Sequence, residues 1–427
     1  MENYRKRIAD TMLTDILDAF GAVLIEGPKA CGKSTTAAQQ AKSILKMDNP
    51  AQKAHYLELA NSDISVLLEG KTPRLIDEWQ LAPKFWDAIR YTVDERGEDG
   101  QFILTGSAVP VVANENEISH TGTGRYARLK MRPMSLWESG ESNGKISLQD
   151  VFAGEKGLHA ENSATLKDVA YLTCRGGWPN AVNKKNERAA LMQAQEYVSA
   201  ITQSDISRVD NIARDPERAM RLLRSYARNI GSQAALTTLA VDLNANEETP
   251  ISDVTIYSYI NALKQIFVIE DSIAWSPNIR SKTAIRTTDT RYFVDPSIAT
   301  AALGIGPRDL LNDTETFGFM FENLAVRDLR VYADVQRGKV YHYRDKEGLE
   351  CDAVVHLPNG KYGLVEIKLG SDMGIADGVK SLTKLSGLID TTKMQAPAFK
   401  MIITATGPYA YQRADGIYIV PITCLKE

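Results

Sequence analysis

Apolar residues recur at three- and four-residue steps through the first twenty positions, at Ile8, Met12, Ile16, Leu17 and Phe20. That spacing predicts an amphipathic helix. A short apolar run from Ala22 to Ile25 follows and reads as a buried strand, then a glycine-rich turn and a second helix. Two further apolar runs, Arg74 to Asp77 and Phe102 to Thr105, each end in polar residues. The stretch from Lys84 to Glu95 between them has a helical pattern. Strands alternating with helices predict a parallel α/β sheet.

The pattern then changes. A polar stretch from Ser139 to Lys167, rich in Gly, Ser and Asn, reads as a linker. Residues 168–240 are mostly helical in pattern, and 231–295 read as helix, turn, helix and hairpin. Gly304 to Pro307 marks another boundary. From Phe317 onward the order is a helix, strands at Val340–Tyr343, Asp352–Leu357 and Tyr362–Ile367, a helix near Gly378–Ile389, and strands at Lys400–Thr404 and Gly416–Val420. The expected organisation is therefore α/β in four segments. Residues 1–140 form a first α/β domain, built around the glycine-rich turn, 141–230 a linker and helical region, 231–305 a winged-helix-like domain and 306–427 a second α/β domain.

A chain of 427 residues is too long for one ordinary core. The apolar content of 44% and charged content of 24% describe a soluble globular protein. The net charge of −4 does not imply bulk attraction to nucleic acid, so any such contact needs a local basic patch. No apolar signal region opens the chain, and the run Ala22 to Ile25 is too short to cross a bilayer. The four cysteines, Cys31, Cys174, Cys351 and Cys424, form no CxxC pair and have no zinc-type histidine spacing. These features predict a reduced cytoplasmic protein with no membrane partner.

The strongest chemical signal is Gly27-Pro28-Lys29-Ala30-Cys31-Gly32-Lys33-Ser34, followed by Thr35. It fits GxxxxGK[ST] between a strand and a helix, the context such a loop requires. Its glycines let backbone N–H groups turn inward around phosphates, and the next helix aims its positive end at them. Lys33 neutralises β- and γ-phosphate charge, and Ser34 ligates Mg²⁺. Downstream, Arg74-Leu-Ile-Asp77-Glu78 is a strand ending in two acids. Asp77 suits the Mg²⁺ shell, and Glu78 suits polarisation of the attacking water. The strand Phe102-Ile-Leu-Thr105-Gly-Ser107 ends in hydroxyls that can sit between the acids and the γ-phosphate. Arg125 and Arg128, in Gly-Arg-Tyr-Ala-Arg, are candidates to reach a γ-phosphate, in their own or a neighbouring subunit.

These segments, "GAVLIEGPKACGKSTTA", "PRLIDEWQLAPKFWDAIR", "FILTGSA" and "TGTGRYARLKMRPMSLWE", resemble the prokaryotic AAA-type ATPases that carry a C-terminal DUF4143 region. The later "RYFVDPSIA", "FENLAVRDL" and "ECDAVV…VEIK" extend the resemblance along the chain. It implies an AAA-like sheet, ATP and Mg²⁺ as ligands, a hydroxyl sensor at Thr105 or Ser107, and a homo-oligomer in which an arginine acts across the interface. No second sensor arginine stands out.

In the middle segment, Leu236–Leu243 and Asp253–Ile266 resemble two helices of a helix-turn-helix, with Ser252 as an N-cap. Strands at Val268–Trp275 and Arg291–Val294 would flank a wing holding Arg280, Lys282 and Arg286. The second helix starts Asp-Val-Thr-Ile-Tyr, with no base-reading arginine. The wing and the stripe Arg218, Arg221, Arg224, Arg228 can meet phosphates, DNA rather than RNA being the expected partner; a solvated face explains the stripe equally.

The C-terminal segment reads Glu350-Cys-Asp352-Ala-Val-Val, a hairpin, then Tyr362-Gly-Leu-Val-Glu366-Ile-Lys368. Adjacent strands would bring Asp352 and Glu366 together, and alternation puts Glu366 and Lys368 on one face. Two carboxylates binding a metal and a lysine handling the water suit Mg²⁺-assisted phosphodiester hydrolysis. Glu322, on the preceding helix, adds a further acid. The arrangement is similar to the PD-(D/E)XK nuclease superfamily, with Cys351 where a proline usually precedes the aspartate. This resemblance implies a restriction-endonuclease-like domain.

The combined expectation is Mg²⁺-dependent ATP binding and hydrolysis coupled to nucleic-acid processing, with metal-dependent cleavage by the C-terminal domain. The alternative is an ATP-switched DNA- or protein-binding scaffold whose nuclease-like domain is inactive.

Overall fold

The computed structural model describes residues 4–106, 122–210, 212–244, 251–277 and 288–427. Ser107, Arg280, Lys282 and Arg286 lie outside them. By contact density the chain divides into two compact units rather than four segments. The first holds Met1–Pro133, Gln203–Arg214 and Asn261–Val268. The second holds Met134–Thr202, Asp215–Ile260 and Ile269–Glu427.

In the first unit, five strands form one all-parallel sheet: β1 (Ala22–Glu26), β2 (Ser43–Lys46), β3 (Arg74–Asp77), β4 (Phe102–Thr105) and β5 (Tyr126–Lys130), in the order β2-β3-β4-β1-β5. The central strands read as unbroken apolar runs because both of their faces are covered. On one face Ala22, Leu24, Ile76, Phe102 and Leu104 pack against Trp79, Phe85, Trp86 and Ile89. The helix Phe85–Arg96 supplies three of those side chains and stops at Gly97, which has φ +62°. The opening helix, Ile8–Leu17, buries Ile8, Leu13, Ile16 and Leu17, while Met12 and Phe20 are only partly buried.

The second unit is built on β6 (Ile146–Ser147), β7 (Ala160–Glu161), β8 (Lys339–Arg344), β9 (Glu350–His356), β10 (Tyr362–Lys368), β11 (Phe399–Thr404), β12 (Tyr409–Gln412), β13 (Ile417–Pro421) and β14 (Leu425–Lys426). Seven of these make a mixed sheet in the order β7-β12-β13-β11-β10-β9-β8, and β14 pairs with β6. The parallel pairs β10/β11 and β11/β13 sit at its centre. The helix Asp372–Leu388 connects β10 to β11 and seals Leu364, Ile402, Ile417 and Ile419 beneath Leu382 and Leu385.

Two expectations change here. The polar stretch 139–167 is not a linker: β6 pairs with β14 and β7 with β12, so this stretch completes the C-terminal sheets. Two-residue strands carry too little periodicity to be recognised. Nor does 231–305 stand as a unit of its own. The helices Leu236–Asn244 and Asp253–Gln265 form, and Ser252 Oγ accepts from the Thr255 N–H at 3.2 Å. The ribbon after them bridges at Ile269–Phe293 and Ser272–Thr290, and Ala274 bridges His342 of β8. Its described part therefore extends the edge of the C-terminal sheet. The arginine stripe is also engaged: Arg224 Nε donates to the Ala302 carbonyl at 3.1 Å, Arg228 pairs with Asp242 at 3.5 Å, and Arg218 and Arg221 have partners too.

Beneath the second sheet runs the helix Thr314–Asp334, almost wholly buried from Phe317 to Ala333. At its centre Arg327 bonds Asp295 at 2.8 Å and Asp328 at 2.7 Å. Asp328 also accepts from the Leu136 N–H at 3.0 Å, and Asp295 from the Gly177 N–H at 2.9 Å. Each charge in this cluster is thus both paired and hydrogen-bonded, the condition for tolerating its burial.

Candidate functional site

The P-loop begins where β1 ends. Gly27 has φ +150°, and a Cβ there would lie 2.1 Å from the Met131 carbonyl oxygen. Only glycine fits. Gly32, with φ 106°, is the N-cap of the helix Lys33–Gln40 and offers no side-chain cap. The first N–H groups of that helix are therefore left for an anion. Lys33 is buried, and its Nζ donates to the carbonyls of Gly27 at 2.9 Å and Pro28 at 2.8 Å. Cys31 is fully buried, and its carbonyl accepts from Arg7 Nη1 at 2.9 Å. The other arm of Arg7 donates to the Arg132 carbonyl at 2.9 Å. This buried arginine ties the loop to the chain after β5.

Strand order sets the acid site. β4 lies between β1 and β3, and Thr105 is the register partner of both Ile25 and Asp77. Thr105 Oγ1 donates to Asp77 Oδ1 at 2.6 Å, and Ser34 Oγ donates to the same oxygen at 2.6 Å. Three residues far apart in sequence thereby converge at the end of the sheet where the P-loop lies. Glu78 follows in the left-handed region, φ 57° and ψ 41°, which costs a non-glycine residue about 1 kcal/mol or more. Gln80 Nε2 holds its carboxylate at 2.5 Å. Burial pushes the Glu78 carboxyl above the ordinary range, opposed by the Gln80 hydrogen bond.

The arginines stand elsewhere. The Arg125 carbonyl accepts from the Ala22 N–H, at the opposite end of β1 from the P-loop, and its side chain bonds Asp94 at 2.7 Å. Arg128 is the register partner of Leu24, bonds Glu26 and lies over the Trp86 ring. Four residues of strand, about 13 Å, separate Arg125 from the P-loop of its own chain.

Lys29, in the loop, bonds Asp205 at 3.2 Å. Asp205 ends a π-helical turn, Ile201–Asp205, a type of distortion that clusters at functional sites. Neither Asp205 nor Arg7 nor Gln80 was expected. Arg7 lay in a helix readable only for its apolar face, and Asp205 is remote in sequence. Gln80, two residues past the acid pair, carried the only readable signal.

A second polar cluster lies in the C-terminal unit. Asp352 on β9 and Glu366 and Lys368 on β10 come together. Lys368 Nζ is 2.7 Å from Glu366 Oε2 and 3.2 Å from Asp352 Oδ2. Asp352 Oδ2 also accepts from the Ile367 N–H at 2.7 Å. Burial pushes the Glu366 carboxyl up to about 8; Asp352 adds to the rise and Lys368 opposes it. Burial alone would lower Lys368, but the two carboxylates outweigh it and hold the ammonium charged. Glu322 is raised well above the carboxylate range, first by burial and then by Asp352, and it accepts a hydrogen bond from the buried Tyr292 hydroxyl.

The four polar residues read from the sequence thus gather in one place, with Tyr292 as an addition. Their donor set suits a hard divalent cation. Their arrangement is an ion triad: among the described residues no group of three or more His, Cys, Asp or Glu is placed to hold a metal. Among the same residues no helix is long and apolar enough to cross a membrane.

Comparison with known proteins finds three family models along the chain. Residues 19–139 match the model of an AAA domain, 166–309 a domain of unknown function (DUF8612) and 317–425 a domain of unknown function (DUF4143). No curated protein matches the chain. Among solved structures, a Walker-type ATPase of Pyrococcus abyssi aligns at 14% identity and TM-score 0.44, covering 70% of this chain and 96% of that one. The Aeropyrum pernix ORC2 protein aligns at 12% identity and TM-score 0.36, covering 74% and 97%. RuvB of Thermotoga maritima aligns at 16% identity and TM-score 0.26, covering 62% and 88%. Likenesses this low carry no argument. The AAA-like character of the N-terminal unit rests on its family match, its all-parallel sheet and its P-loop.

Proposed function

We propose that the N-terminal unit binds ATP with Mg²⁺ and hydrolyses it. The observation that carries this reading is the convergence of Ser34 and Thr105 on one oxygen of Asp77 beside the glycine-shaped loop. Ser34 and Asp77 would hold the metal, which supplies charge neutralisation to the phosphates when bound. Lys33 exchanges its two loop carbonyls for phosphate oxygens, and the N–H groups from Lys29 to Thr35 line the phosphates. Glu78 orients and polarises the attacking water, while Thr105 fixes Asp77. Arg125 or Arg128 would reach the γ-phosphate of a neighbouring subunit, in a homo-oligomer.

We further propose that hydrolysis is coupled to nucleic-acid processing by the C-terminal unit, DNA before RNA. Asp352 and Glu366 would take a metal, with Glu322 nearby and Lys368 handling the water. The second reading, an ATP-switched scaffold with an inactive nuclease-like domain, is favoured by one observation: Lys368 already bonds both acids.

The test is ATP hydrolysis by wild type, Lys33→Ala and Glu78→Gln, with and without DNA, beside cleavage of single- and double-stranded DNA with Mg²⁺ or Mn²⁺. The ATPase reading expects binding without turnover in Glu78→Gln and loss of binding in Lys33→Ala. Cleavage that disappears in Asp352→Ala supports processing. ATPase activity without cleavage supports the scaffold.

A further inference from the structure

Two tyrosines stand exposed on β12, with the fully buried Ala410 between them: Tyr409 at 48% exposure and Tyr411 at 41%. The alternation places both rings on one face of the strand. That face is the one carrying the carboxylate cluster. Glu366 is the register partner of Ile402, Ile402 of Ile419, and Ile419 of Tyr411. Residues in one such row share a face. Tyr411 therefore lies three strand spacings from Glu366, about 14 Å. The helix Asp372–Leu388 covers the two isoleucines between them, so Tyr411 emerges on the flank of that helix away from Glu366. Tyr409 lies two residues along β12, toward the row that holds Lys368 and Thr404. A third ring, exposed His159, stacks on Tyr409 with centroids 5.5 Å apart and planes 28° apart.

We propose that Tyr409 and Tyr411, backed by His159, form a stacking platform for unpaired bases of single-stranded nucleic acid, on the sheet face that carries the carboxylate cluster. This rests on the nucleic-acid reading above. Three features select this occupant. Aromatic faces presented at two-residue steps on a strand accept successive bases irrespective of sequence, because every base has a π-face. The platform shares its sheet face, through the strand register, with the candidate phosphodiester site, the helix Asp372–Leu388 lying between them. The arginine beside the platform is already neutralised, Arg413 being paired with Asp415 at 3.1 Å, and Glu161 stands opposite Tyr409. Stacking can work beside a neutralised arginine, whereas a duplex is held mainly through its phosphates.

The experiment uses the full chain and a fluorescently labelled oligothymidine of about 16 nucleotides, followed by anisotropy without nucleotide or metal, beside a duplex of equal length. Wild type, Tyr409→Ala, Tyr411→Ala and the two Tyr→Phe variants are compared, with thermal melting as the folding control. The platform predicts that each alanine weakens single-strand binding about tenfold, that phenylalanine retains it, and that duplex binds more weakly throughout. Single-strand binding unchanged in both alanine variants overturns the platform and leaves the nucleic-acid reading standing. Duplex binding as tight as single-strand binding also overturns it. No binding of either oligonucleotide by wild type overturns platform and nucleic-acid reading together, and leaves the tyrosines to a protein partner.

Discussion

Thr105 donates a 2.6 Å hydrogen bond to Asp77 across two adjacent parallel strands in which the two residues are direct register partners. Ser34 approaches the same carboxylate oxygen from the P-loop helix. The carboxylate is thereby fixed from two sides before any ligand arrives, which is the kind of preorganisation that lowers a barrier without adding affinity. Thr105→Val keeps the shape and removes the donor. It should lower kcat for ATP by about 10²-fold while leaving the KM near wild type. Thr105→Ser should retain most activity. Steady-state kinetics decides; an unchanged kcat in Thr105→Val would remove this residue from the mechanism.

Lys368 is the sole cation bonding both Asp352 and Glu366 among the described residues. Removing it leaves two facing carboxylates, one of them buried, with no counter-charge. Taking one partner from a fully buried pair costs about 3–5 kcal/mol, and the partial exposure of Lys368 discounts that. Lys368→Ala should therefore destabilise the chain by about 1–3 kcal/mol. Adding Glu366→Gln should recover part of the loss. Urea unfolding of the single and double variants measures it, and a double variant less stable than the single would contradict the counter-ion role.

Much of the N-terminal unit was legible because its signals are local. The runs ending at Ile25, Asp77 and Thr105 are strands at nearly the expected bounds. The P-loop is a contiguous motif whose glycines carry positive φ. In the C-terminal unit, Asp352, Glu366 and Lys368 were readable together because a hairpin makes neighbours of nearby residues. What escaped depends on distant partners. Glu161 and Ala160 form a strand only because Tyr409 and Ala410 lie beside them. Ala274 became a sheet-edge residue because His342 accepted the pairing. Asp205 reaches Lys29 across 176 positions, a separation no periodicity reports.

His342 is buried on β8. Its Nδ1 lies 2.8 Å from the Ser272 carbonyl oxygen, which makes Nδ1 the donor, and among the described residues Nε2 has no hydrogen-bond partner. Burial lowers its pKa below the ordinary 6.5. The sign follows. Above 6.5 the ring is neutral in folded and unfolded chains alike. Below that value the unfolded chain takes up a proton that the folded one resists, so stability falls as pH drops toward the folded pKa. The limiting slope from this residue is about 1.4 kcal/mol per pH unit. Unfolding of wild type and His342→Gln at about pH 7.5 and about pH 5.5 isolates it. The variant should be less stable at the higher pH yet lose less on acidification. Equal losses in the two proteins would show that His342 does not contribute.

Arg327 is among the largest fully buried side chains of the described residues. It bonds Asp295 and Asp328, which in turn fix the N–H groups of Gly177 and Leu136. Four segments of the C-terminal unit therefore meet at one guanidinium, whose planar fork serves two carboxylates at once. Lysine cannot reproduce that geometry. Arg327→Met strands two buried aspartates and should cost about 3–5 kcal/mol, and Arg327→Lys should cost nearly as much. Because both aspartates also accept backbone N–H bonds, replacing them with asparagine alongside Arg327→Met keeps an acceptor at each N–H and removes the stranded charge. That triple variant should be more stable than Arg327→Met alone. Chemical unfolding of the four proteins tests this, and a triple variant no more stable than the single would mean that the guanidinium hydrogen bonds, rather than charge balance, hold these segments together.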